Sequence, residues 1–210
     1  MCSINKIWTL PLFAAGLFII QPLASSPEPP YKACIIKWAI QKTSTLRIQG
    51  RSNINSFGCD IIGYYQTDTI SCSDDSSSNK IVALKGCLKI DVLNFDCHNK
   101  LITCDLRKTL KADKYPTLVI RFLSLERFPD LQNNKDYLKG WVEINLAGIC
   151  KRFQINYSFI PSGSSTIRLN GSREFYFSDF KLTPPKKLAG LIKIKDNFSV
   201  DFQLVLNPVN

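Results

Sequence analysis

Between Phe95 and Phe122 the chain reads FDCHNKLITCDLRKTLKADKYPTLVIRF, which sets its single histidine, His98, beside Cys97 and a few residues before Cys104, Asp105 and Arg107. Thiol, imidazole, carboxylate and guanidinium at that density are what a metal centre or a Cys-His nucleophile would need. The spacing argues against both. Zinc sites use compact pairs such as C-x2-C, and the chain contains none. Cys97 and His98 are neighbours, so on a strand or a helix they point in different directions, and Cys104 follows six residues after His98. Any Ser-His-Asp or Cys-His centre would have to recruit His98, and no G-x-S-x-G elbow is present. The 17 acidic residues are scattered over loops and wet strand positions, with no paired carboxylates to suggest general acid and base. The expectation is therefore no metal and no catalytic residue, with His98 capping or hydrogen-bonding the turn that leads into a helix.

The elements that would hold this cluster are mostly strands. In VALKGCLKIDV the even positions Val82, Leu84, Gly86, Leu88, Ile90 and Val92 are apolar or glycine, while Lys85, Lys89 and Asp91 are among the odd ones; this is a strand with one dry and one wet face. The same alternation runs through GWVEINLAG (Val142, Ile144, Leu146), RFQINYSF (Phe153, Ile155, Tyr157, Phe159) and VDFQLVL (Val200, Phe202, Leu204, Leu206). STLRIQG, TLVIRF and TIRLNG add Leu46 and Ile48, Leu118, Ile120 and Phe122, and Ile167 and Leu169. Seven or eight such strands with short turns predict a closed antiparallel barrel or a sandwich. One helix is predicted over residues 99–111, where Leu101, Ile102, Leu106 and Leu110 recur at helical spacing before DKYP stops it. A single helix beside a barrel would sit over one end. The polar run SCSDDSSSNK, residues 71–80, reads as a solvated loop.

At the start of the chain, Lys6, an apolar run from Ile7 to Ile20 and the small residues Ala24, Ser25 and Ser26 have the order of a cleavable secretory signal peptide over residues 1–26. The run is interrupted by Pro11 and Gly16 and blocked by PEPP, so no transmembrane segment is expected in the mature chain. Its loss leaves 184 residues, read as one domain over 27–210, and lowers the net charge from +10 to +9. These features imply a periplasmic or secreted location. Basic charge favours anionic surfaces or nucleic acid, yet the aromatic residues of KRFQINYSF share a face with aliphatic ones, which fits a core or a cavity wall, and no nucleic acid is expected. Seven cysteines remain after the leader, an odd number that leaves at least one thiol unbridged within the chain.

Residues 95–122, together with the strands C-terminal to them, resemble the YceI-like family of secreted bacterial proteins. The matching residues are Asp105, Leu106 and Arg107 on the helix; the turn Tyr115, Pro116, Thr117 before LVIRF; the strand pair KGWVEINLAGICKRFQINYSF; and Arg173 with the SDF turn at Ser178 to Phe180 before FSVDFQLVL. Their order covers most of residues 34–207. The resemblance implies an eight-stranded antiparallel lipocalin-like barrel whose apolar tunnel holds a polyisoprenoid lipid or an isoprenoid quinone, with no catalysis and no other cofactor. On that implication the inward strand positions Leu84, Leu88, Ile90, Ile120, Phe122, Ile144, Leu146, Phe153, Ile155, Phe202 and Leu204 would line the tunnel. Among the thiols, Cys59 and Cys97 each close an F-x-C step at a strand end, which makes their bridge the leading hypothesis; Cys72 with Cys87, or Cys97 with Cys104, would serve as well. A carrier of a lipid or quinone and a secreted interaction or stress-related protein with a filled barrel both remain open.

Overall fold

Strands that are dry on one face hide that face completely when their sheet closes on itself. The chain does this in the computed structural model, which describes residues 34–74, 81–163, 165–187 and 191–209. The leader expected over residues 1–26 lies outside the described residues. In chain order the elements are β1 (Cys34–Ile40), β2 (Thr45–Ser52), β3 (Ser56–Ile61), β4 (Thr69–Asp74), β5 (Val82–Asp91), β6 (Phe95–Asp96), α1 (Lys100–Thr109), β7 (Thr117–Leu125), β8 (Asp136–Leu146), β9 (Ile149–Ser162), β10 (Thr166–Tyr176), β11 (Lys186–Lys187) and β12 (Ile192–Pro208).

The long strand β12 closes the sheet. One edge of it pairs with β10 from Asn197 to Leu206, and the other edge meets first β2, at Phe202 opposite Leu46, and then β1, at Leu206 opposite Ile40. Segments β1 and β2 therefore form one broken stave. The next stave is β4 beside β1 and β3 beside β2, and the third is β5 with its continuation β6. With β7, β8, β9, β10 and β12 this makes a closed eight-stranded antiparallel barrel.

The polar run expected to be a loop begins inside that barrel: residues 71–74 belong to β4. Cys72 is opposite Ile36 on one side and Leu84 on the other, and Ile70 and Cys72 are buried. Hydrogen-bonded neighbours on both edges settle a backbone that its serine and aspartate side chains do not advertise. Residues 75–80 of that run lie outside the described residues.

The break in the second stave, residues 62–68, is tied to its neighbours at both ends, by the Ile62 amide donating to the Asn94 carbonyl at 2.9 Å and by Asp68. The Asp68 carboxylate accepts from the buried Tyr64 hydroxyl at 2.6 Å and the Lys89 amide at 3.0 Å, and its carbonyl accepts from the Ile40 amide at 2.9 Å. Across from it, Gly86 adopts φ 146° at a point where a Cβ would stand 2.2 Å from the Thr69 carbonyl oxygen, so only glycine lets β5 pass there. Here β5 slips its register against β7, between Ala83 and Cys87.

The β7–β8 connection marks the upper end of the barrel. There Trp38, Ile40, Ile70, Leu125, Phe159 and Leu206 are all buried in the core. The lower end is covered by α1 and by a short 3-10 turn after β10, Phe177–Phe180.

Candidate functional site

The residues around His98 prove to be joinery for the lower end. Asn99, one residue later, is the N-cap of α1: its side-chain oxygen accepts from the Leu101 and Ile102 amides at 3.0 and 3.2 Å. His98 does not cap the helix. It takes a left-handed φ of 56° and its Nε2 meets the Asp60 carboxylate of β3 at 2.9 Å, while Asp60 also faces Arg47 at 3.5 Å. A short side chain fills the cap because it can fold back onto the first turn, which an imidazole cannot do as compactly. The Cys97 amide donates to Thr103 Oγ1 at 2.9 Å, and Arg107 donates to the Leu93 and Phe95 carbonyls at 2.5 and 3.1 Å, tying α1 to β6 and the turn before it. Cys97 is bonded to Cys59 of β3 through a disulfide that spans 38 residues. Cys104 is exposed on α1 as an unbridged thiol, as is Cys150 on β9, whose thiol is pushed up by partial loss of water around the sulfur and by its hydrogen bond to Glu143. Among the described residues no group of three or more His, Cys, Asp and Glu side chains could hold a metal ion.

The chemistry of the fold lies instead inside the barrel, in a cavity of about 80 Å³ in its lower half. Of the eleven positions expected to line a tunnel, Leu88, Ile120, Phe122, Ile144, Leu146, Ile155, Phe202 and Leu204 reach this cavity. Leu84, Ile90 and Phe153 are buried but do not. Leu84 sits opposite Cys72, towards the packed upper end. Phe153 is packed edge-on to Phe175 at 4.9 Å and against Phe180 at 5.6 Å, and those two rings take the lining positions. Sequence reasoning assigned no lining role to Leu46, Ile48, Val142, Tyr157 and Val200, although the same alternation marked each as inward. It also missed the floor, which is made by Leu106 and Leu110 of α1 and by Phe177 and Phe180 of the 3-10 turn. The helical spacing of Leu106 and Leu110 and the helix's place over one end of the barrel were both expected; that these two side chains line the cavity was not.

Two glycines shape the wall. A Cβ on Gly140 would lie 2.7 Å from the ring of Tyr157, and one on Gly171 would lie 2.1 Å from the ring of Phe202. Each ring thus lies against bare backbone, a packing that supports the glycine and fixes the ring. The Tyr157 and Phe202 rings then meet edge-on at 6.0 Å.

Two polar groups interrupt the apolar lining. The Tyr157 hydroxyl is buried, with the residue 2% exposed, and no protein acceptor lies within hydrogen-bonding distance among the described residues. Burial pushes this phenol well above the ordinary tyrosine range. An unsatisfied buried hydroxyl costs about 1–3 kcal/mol. Arg173 occupies an inward position of β10 between Gly171 and Phe175, just past the last β9–β10 pair, Ser172 with Asn156. Its guanidinium lies over the rings of Phe153 and Phe175, at 5.1 and 5.6 Å, and its Nη1 donates to the Gln154 carbonyl at 2.5 Å. Its Nε is buried without a partner among the described residues. Nearby Asp179, held below the usual carboxylate range against its burial, is bonded by Lys151 and the Tyr176 amide.

No family model and no curated protein matches the chain. Solved structures do. A polyisoprenoid binding domain from Saccharophagus degradans implicated in plant cell wall breakdown aligns at a TM-score of 0.59 and 13% identity, over 81% of this chain and 97% of that one. BcnA of Burkholderia cenocepacia aligns at 0.56 and 15%, over 77% and 95%, and a mutant Campylobacter jejuni YceI protein made for nanotechnology applications at 0.52 and 16%, over 71% and 86%. At these identities the likeness is one of fold, and the chain has the fold of the YceI-like proteins.

Proposed function

We propose that the barrel binds the chain of a single lipid, a polyisoprenoid or an isoprenoid quinone, and serves as a binder or carrier in the periplasm or outside the cell, with no catalytic step of its own. The observation that carries this reading is the cavity: its walls are carbon except at Tyr157 and Arg173, and α1 and the 3-10 turn close it from below. A chain placed there leaves water, at about 25 cal/mol per Å² of apolar surface removed. The fold neighbour described as a polyisoprenoid binding domain supports the choice of ligand. Export of the mature protein rests on the leader-like residues 1–26. Among the described residues no helix is long and apolar enough to cross a membrane.

The size of the cavity sets a condition. Drug-sized ligands occupy pockets of roughly 300–1,000 Å³, and the cavity holds about 80 Å³. A long chain must therefore swing aside rings such as Phe122 and Phe198, which line it. The same measurement favours a second reading, in which the barrel is simply filled and the protein acts through its surface as a secreted interaction or stress-related protein. Heat denaturation of the mature protein with and without decylubiquinone separates the two. A binder is stabilised by about 2.7 kcal/mol once free ligand reaches a hundred times its dissociation constant; a filled barrel does not respond.

A further inference from the structure

We infer that the ligand of this cavity carries an oxygen acceptor buried within the barrel, received by the Tyr157 hydroxyl and the Arg173 guanidinium, so that a chain ending in a carboxylate or carbonyl is selected over the bare hydrocarbon. The inference rests on the lipid-binding reading and adds the chemical class of the head group. The Arg173 guanidinium has its ring and carbonyl contacts within the fold, but these leave Arg173 Nε and the Tyr157 hydroxyl unpaired, although inward neighbours on the same strands, such as Ile155 and Phe175, are apolar. Buried donors are paired in folded proteins as a rule, and each exception calls for a partner. Four side-chain atoms among the described residues are such exceptions, on Arg107, Tyr157, Asn170 and Arg173, and two of them, the Tyr157 hydroxyl and Arg173 Nε, belong to residues that line this one cavity.

Their placement suits one head group. Tyr157 is opposite Gly171 across the β9–β10 pair, and Arg173 follows two residues along β10, about 7 Å further down the strand. A phenol ring pinned between the Gly140 backbone and the Phe202 edge cannot swing towards another acceptor, so the place of its oxygen is set in advance. Arg173 is equally constrained by its two rings and the Gln154 carbonyl. The carboxylate that shares its surroundings, Asp179, is already bonded to Lys151 and the Tyr176 amide. A ligand oxygen would thus meet one fixed neutral donor and one fixed cation, both without the cost of reorganisation.

The test compares three probes built on the same C20 branched chain, phytanic acid, its methyl ester and phytane, for displacement of 1-anilinonaphthalene-8-sulfonate from the mature protein and from Y157F and R173M. The parent protein should bind the acid at least about tenfold more tightly than phytane, the factor expected of one net hydrogen bond. In Y157F that preference should fall by about tenfold while phytane binding is unchanged. Unliganded Y157F should melt no lower than the parent, because its hydroxyl has no protein partner to lose. R173M should weaken the acid more than the ester, since only the acid carries a charge. Equal affinity of the parent for acid and phytane would overturn the inference and leave the lipid-binding reading standing. An acid preference untouched in a folded Y157F and a folded R173M would overturn the assignment to these residues. Binding of none of the three probes would overturn the lipid-binding reading, and the inference with it.

Discussion

At the upper end of the barrel Trp38, Ile70, Leu125, Phe159 and Leu206 are buried in the core and none reaches the cavity, whereas at the lower end the rings of Phe122, Phe175, Phe198 and Phe202 leave about 80 Å³ between them. Both ends are built from the same alternating strands. The difference teaches that alternation decides which residues face inward, while local backbone decides whether they reach the middle. Gly140 and Gly171 let the Tyr157 and Phe202 rings lie back on the wall, and α1 and the 3-10 turn add a floor. Hydrophobic sequence alone therefore produces a plug in one half and a lined cavity in the other.

The sharpest way to break this contrast is at Phe159. It is fully enclosed in the packed half, so Phe159→Ala should cost about 5 kcal/mol, the top of the range for a ring that leaves an uncollapsed void. Chemical denaturation measures it; a cost under about 2 kcal/mol would mean the upper half is as loose as the lower. Next is the Cys59–Cys97 bridge, which holds β3 to β6 beside the cavity floor. Replacing both cysteines by serine should cost about 4 kcal/mol, the loop-closure value for its span. Phe202→Ala, at the cavity wall, should cost less than Phe159→Ala, about 3 kcal/mol, because a ring facing a void forfeits fewer contacts. It should also widen the cavity.

The smallest effect belongs to the upper rim, where Arg127 grips both oxygens of Asp136 at 2.8 Å and the Asp130 amide donates to the same carboxylate at 2.8 Å. The Arg127 pair holds the Asp136 carboxyl below the usual range. A carboxyl depressed in the folded chain contributes stability that is complete above the unfolded value of about 3.9 and is lost as pH falls through the folded one. Asp136→Asn should thus cost about 1–2 kcal/mol at pH 7 and nothing at the acid limit. Melting curves from pH 7 to pH 2 that stay parallel for the two proteins would refute the linkage.

Much of this architecture was legible. The alternation in β5, β8, β9 and β12 identified the barrel staves and eight of the cavity-lining residues, because burial on one face leaves a period of two in the sequence. Helix α1 was visible over nearly its full length for the corresponding reason at period 3.6. Strand β4 was hidden by its serines, since its stability comes from ladders with β1 and β5 whose partners are distant in sequence. The floor was hidden too: Phe177 and Phe180 obey no strand or helix period, and their role depends on where β10 ends. The lone histidine looked most like chemistry and turned out to join β3 to the turn before α1, while Tyr157, one of the two cavity residues the structure leaves without a needed partner, looked like one more aromatic in a strand.

The central claim is that the lower half is a site and the upper half a plug. Organic extraction of the mature protein purified from its native host, followed by mass spectrometry, tests it most directly. The account predicts one prenyl lipid or quinone per chain in the parent protein and a reduced amount in folded Phe202→Ala, whose wall no longer grips it. An empty extract from correctly folded protein would contradict it, and would make the 80 Å³ cavity a packing defect in a barrel that is filled from end to end.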